Sequence, residues 1–111
     1  MGIAEELEAA AARVSEQALG AVVGVGGRWP SGSGFVLAQG SVVTSAHNVH
    51  GPGAQVHFGD GSRRDSTAVN ADLAGDLAVV QVDTTGFTPV RFAAAAPQLG
   101  TPLFAAANPG G

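Results

Sequence analysis

Apolar residues follow two different periods along this chain. At the N-terminus Ile3, Leu7, Ala10, Ala11, Val14 and Ala18 recur every three or four positions, the spacing that lines one face of a helix. Glu5, Glu6 and Glu8 crowd the first turns, where the helix dipole favours negative charge, while Arg13 comes later and Gly20 is suited to end the helix. The pattern predicts a helix over residues 1–20, packed across the mouth of whatever follows. After Gly20 the runs become short and β-branched. Ala21-Val22-Val23-Gly24-Val25 is the first, and Phe35-Val36-Leu37 and Val42-Val43-Thr44 form a hairpin through Gln39-Gly40. Ala54, Val56 and Phe58 alternate with Gln55 and His57 as a half-buried strand should. Residues 64–71 are expected to pair back on it across Gly59-Asp60-Gly61-Ser62. Leu77-Ala78-Val79-Val80-Gln81-Val82 is the most apolar strand and reads as central, and Leu103-Phe104-Ala105-Ala106-Ala107 reads as the last. The run Ala93–Ala96 beside Pro97 reads as a loop. About seven short strands with regular turn signals predict an all-β domain over residues 21–111, a single small closed β-barrel or a sandwich.

Length and composition narrow this further. At 111 residues the chain fits one domain able to bury a core, and 45% hydrophobic against 13% charged residues argues against disorder. Five basic residues, all Arg, against nine acids give a net charge of −4, too little positive charge to neutralise a nucleic-acid backbone. The absence of Cys excludes disulfides, a thiolate zinc site and a Cys nucleophile. No apolar run reaches the roughly 20 residues of a membrane span, and the early glutamates stand where a signal peptide carries positive charge, so neither a span nor an export signal is expected. Gly24-Val25-Gly26-Gly27 lacks the spacing of a phosphate loop and reads as a strand end and turn.

The candidate chemistry rests on His, Asp and Ser. His47 follows directly on the strand Val42-Val43-Thr44, where a rigid scaffold hands a side chain to a cleft, and its imidazole can shuttle a proton near neutral pH. The plain alternative is a surface histidine at a turn. Asp76 opens the strand at Leu77, where a partly desolvated carboxylate needs a donor such as an imidazole N–H; the alternative there is a residue capping the loop Asp72–Gly75. A zinc site from His47, His50 and His57 is disfavoured, because alternation sets His57 on the solvent side of its strand with Gln55. No cofactor is implied.

Three motifs in order, Gly32-Ser33-Gly34-Phe35-Val36-Leu37, Thr44-Ser45-Ala46-His47-Asn48-Val49 and Asp76-Leu77-Ala78-Val79-Val80-Gln81-Val82, resemble the trypsin-like serine endopeptidases, with the bacterial HtrA/Deg-like branch the nearest in wording. The leading helix and the closing Ala107-Asn108-Pro109-Gly110-Gly111 resemble the two ends of that family's first barrel. The resemblance implies His47 as general base and Asp76 as its orienting acid. It also implies a second barrel, carrying a Gly-x-Ser-Gly-Gly-like loop with the nucleophile and oxyanion hole, and this sequence contains no such loop. Ser31, Ser33, Ser41 and Ser45 are then strand and turn residues. Two functions stay open. One is the N-terminal half of a serine endopeptidase, inactive alone and completed by a second barrel for polypeptide substrates. The other is a non-catalytic barrel that binds partners or pairs with a second copy.

Overall fold

The computed structural model describes residues 2–18, 20–51, 53–101 and 103–108. One helix, α1 (Ile3–Ala18), precedes seven strands: β1 (Val22–Gly26), β2 (Pro30–Ala38), β3 (Ser41–Thr44), β4 (Gln55–His57), β5 (Arg63–Asp65), β6 (Ala68–Asp72) and β7 (Leu77–Gln81). A single 3-10 turn, Ala46–Asn48, follows β3. The seven strands make one antiparallel sheet in the order β5-β4-β1-β2-β3-β7-β6.

The sheet coils into an open half-barrel, which corrects the expectation of a closed barrel. Six successive antiparallel pairings leave the outer strands β5 and β6 running in the same direction, with only two residues between them. So short a link cannot reverse the chain, and the two edges form no ladder with each other. The chain instead changes partner at this point: Ser66 N–H donates to the Ala54 carbonyl and Thr67 N–H to the Gln81 carbonyl. Residues 64–71 are thus not one arm. Their first part pairs with β4 and their second with β7.

Two other expectations change. Strand β7 is flanked on both sides but lies one place in from the edge, and β2 takes the centre. Residues 103–107 form no strand, and Leu103 and Phe104 are exposed. Alanine-rich chain has little β-branched or aromatic surface to pack on a pleated sheet, so strand pairing gains little there. Pro109, Gly110 and Gly111 of the closing motif lie outside the described residues.

Alternate residues of the strands build the core. Val23, Val25, Val36, Val42, Val56 and Val80 are wholly buried with Ala54, Phe58 and Val82 around them. β-Branched side chains with one preferred rotamer suit such a curved inner face. The helix buries none of its residues. Its predicted stripe is half-buried only from Ala10 onward, while Ile3 and Leu7 stay exposed. It does not seal the sheet; its later turns border a cavity of about 590 Å³ lined by Ala11, Val14, Phe58 and residues 104–108. No helix among the described residues is long and apolar enough to cross a membrane.

Candidate active site

Strand register brings the site together. Strands β3 and β7 pair antiparallel with Thr44 opposite Ala78, and the same register continued past Thr44 sets residue 46 opposite 76. Two segments far apart in sequence therefore meet at one end of the sheet. The chain leaves β3 in the turn Ala46–Asn48 and enters β7 from the hairpin turn after β6.

His47 and Asp76 make two hydrogen bonds there. The imidazole Nδ1 lies 2.7 Å from Asp76 Oδ2, and the His47 backbone N–H donates to Asp76 Oδ1 at 2.9 Å. The carboxylate thus holds both the ring and the peptide that carries it. With Nδ1–H donating, the neutral ring offers Nε2 as an acceptor, the state a general base requires. The His47 side chain is 70% exposed and that of Asp76 50%, so the pair stands open on the surface. The backbone N–H of His47 and then its side chain, both donating, hold the Asp76 carboxyl below its ordinary value against a smaller opposing effect of desolvation.

Asp76 also shapes the backbone. It is the one described non-glycine residue in the left-handed region, at φ 51°, and it ends the four-residue loop between the paired residues Asp72 and Leu77. Asp tolerates this conformation better than most residues. The loop-capping role weighed for Asp76 belongs to Asp72, whose Oδ1 accepts the Gly75 N–H at 3.1 Å.

Sequence reasoning missed the floor of the site. Asn48, 6% exposed, donates from Nδ2 to Thr44 Oγ1 at 3.1 Å, and the Thr44 hydroxyl donates to the Ser33 carbonyl at 2.8 Å. The Ser31 hydroxyl donates to the Asn48 carbonyl at 2.9 Å. Gly32 faces the Asn48 amide so closely that any Cβ there would overlap it. No local signal marks Asn48, because a polar residue beside a turn histidine predicts exposure.

The remaining candidates have other partners. Ser33 Oγ accepts the Asn108 N–H, Ser41 Oγ faces Gln81 Oε1 at 3.4 Å, and Ser45 makes no side-chain cap on its turn. His57 Nε2 lies 2.9 Å from the Gly27 carbonyl, on β4 and three strands away from β3, rather than beside His47. His50 is exposed.

An antiparallel half-barrel suits the fold of a trypsin-like peptidase, and comparison with known proteins agrees on that fold. Residues 32–111 match the trypsin-like peptidase domain, and the chain belongs to that family. Among solved structures it is similar to the serine endoprotease from Yersinia pestis, at 24% identity and a TM-score of 0.69, covering 80% of this chain and 35% of that one. It is also similar to the Rv3671c protease in its inactive form, at 30% identity and a TM-score of 0.66, covering 78% of this chain and 43% of that one. The chain thus spans less than half the length of either structure. A search of curated proteins gives no match.

Proposed function

We propose that this chain is the N-terminal half of a trypsin-like serine endopeptidase, of the HtrA/Deg-like kind its motifs resemble, in which His47 is the general base and Asp76 its orienting acid. The observation that carries this is the paired contact of Asp76 with the ring and backbone of His47. In peptide hydrolysis His47 Nε2 takes the proton of an attacking serine hydroxyl and later delivers it to the leaving amine. Asp76 fixes the ring as the Nδ1–H tautomer and stabilises the imidazolium formed during attack. The serine and the oxyanion-hole amides come from a second barrel, for which the unspanned length of the two solved proteases leaves room. Polypeptide is the substrate, and its selection belongs to the second barrel.

Phe92, Leu99 and Leu103 stand exposed in the irregular segment after the last strand, together with the less exposed Phe104. They offer apolar surface for the second barrel. When that barrel is absent, a second copy of the chain covers the same surface.

The test is hydrolysis of a peptide ester by a longer polypeptide in which a nucleophile-bearing barrel follows Gly111. His47→Ala is expected to lower kcat by roughly 10⁴- to 10⁶-fold, with the residual rate left to the oxyanion hole. Unchanged turnover in that variant would overturn the reading.

A further inference from the structure

We propose that Asn48, held by Thr44 and given room by Gly32, is a positioning residue that keeps His47 aligned with Asp76. The inference rests on the reading of His47 and Asp76 as a proton-handling pair.

The turn that carries His47 is only three residues long and has few hydrogen bonds of its own. Asn48 N–H donates to the Ser45 carbonyl and Val49 N–H to that of Ala46. A turn so short, bearing a mostly exposed ring, needs anchoring from outside. Asp76 anchors it on one side through the His47 N–H. Asn48 anchors it on the other, where its side chain and carbonyl bond to the strands beneath: its amide to Thr44 at the end of β3, Thr44 onward to the Ser33 carbonyl of β2, and its carbonyl from Ser31 of β2. His47 sits between these two anchors, one residue from the buried one.

An aliphatic side chain of similar size would fill this buried place without the cost of desolvating an amide. What the amide adds is direction. A satisfied buried hydrogen bond permits one orientation of the turn, where apolar packing permits several. Gly32 points the same way. Its φ lies outside the left-handed region, so its backbone suits any residue, and the obstacle to a side chain there is the Asn48 amide itself.

The experiment uses the ¹⁵N-labelled 111-residue chain and two NMR readouts on His47, the tautomer of its neutral ring and the exchange rate of its backbone amide. Asn48→Val and Thr44→Val are expected to leave the amides of Val36, Val42 and Val80 at wild-type shifts and protection. In both, His47 loses its Nδ1–H tautomer preference to the degree seen in Asp76→Asn, and its amide exchanges about tenfold faster, the scale of one lost hydrogen bond. Thr44→Ser keeps the hydroxyl and is expected to restore both readouts. It decides the matter against Thr44→Val if Asn48→Val does not fold. The inference is overturned if His47 keeps its wild-type tautomer and exchange in a folded Asn48→Val, or if exchange quickens equally across the whole sheet. The base reading fails by a different result. Undiminished hydrolysis by His47→Ala in the longer polypeptide, beside a loosened His47 in Asn48→Val, would sink that reading and leave this one standing.

Discussion

Asp76 does two things with one side chain and one backbone. Its carboxylate takes both hydrogen bonds from His47, and its left-handed φ ends the hairpin loop into β7. Asp76→Asn keeps a residue that tolerates this φ and keeps an acceptor oxygen, whereas Asp76→Ala keeps neither. The expected order of urea midpoints is wild type, then Asp76→Asn, then Asp76→Ala; equal midpoints for the two variants would show that the turn is indifferent to its fourth residue. The pH dependence has a definite sign. Hydrogen bonds from His47 lower the folded pKa of Asp76 below the unfolded value of about 3.9. The stabilisation is therefore complete above the unfolded value and disappears as pH falls through the folded one. The difference in midpoint between wild type and Asp76→Asn is expected to shrink below about pH 4. A difference that stays constant down to pH 2 would show that the carboxylate's charge contributes nothing.

At the scale of elements, close approach explains the glycines of β2. A Cβ on Gly32 meets a side chain, the Asn48 amide, while a Cβ on Gly34 falls 2.6 Å from the Val43 carbonyl of the neighbouring strand. A side chain can be removed; a backbone carbonyl in a ladder cannot. Gly32→Ala is expected to cost about 1–3 kcal/mol, the usual range for overpacking, and to cost less in an Asn48→Ala background. Gly34→Ala is expected to show no such relief. A double-mutant cycle by urea denaturation reads both, and equal behaviour of the two glycines would contradict this account. Arg64 of β5 ties its edge strand to the chain beyond β7. Its guanidinium lies over Phe58 and Phe87, which stack on each other, and donates to the carbonyls of Asp83 and Thr85. Arg64→Lys keeps the charge but loses the planar fork, and is expected to destabilise the chain by about 1–2 kcal/mol. A Lys variant with an unchanged midpoint would reduce Arg64 to a surface charge.

For the whole molecule, the proposed base and its orienting acid lie on one exposed face. The proposed base stands in solvent, and Phe92, Leu99 and Leu103 present apolar side chains. Alone, the chain is expected to hydrolyse casein or peptide esters no faster than its His47→Ala variant, because proton transfer without nucleophile and oxyanion hole gains little. Turnover that disappears when Ser31, Ser33 or Ser45 becomes Ala would reveal a local nucleophile. With a net charge of only −4 to oppose association, sedimentation over a hundredfold concentration range is expected to show a two-fold dimer. A species of 10.9 kDa at every concentration would mean that the apolar segment is already covered within one chain.

The sequence by itself determined the elements whose signals are local. The helix follows from a periodic stripe with acids at its start, the β2–β3 hairpin from Gln39-Gly40, and β7 from a β-branched run. Its ordered motifs also singled out His47 and Asp76, although nothing in their separation says they touch. Contact was decided by the register of β3 on β7, a property of two strands and of neither alone. The tertiary structure likewise decided that residues 64–71 divide between two partners and that the sheet stays open. Both outcomes depend on strand direction, which no local pattern encodes. Asn48 belongs to the same class. Its polarity predicts exposure, and only the packing of β2 beneath the turn, with Gly32 bare and Thr44 in reach, gives its amide a buried place with a partner.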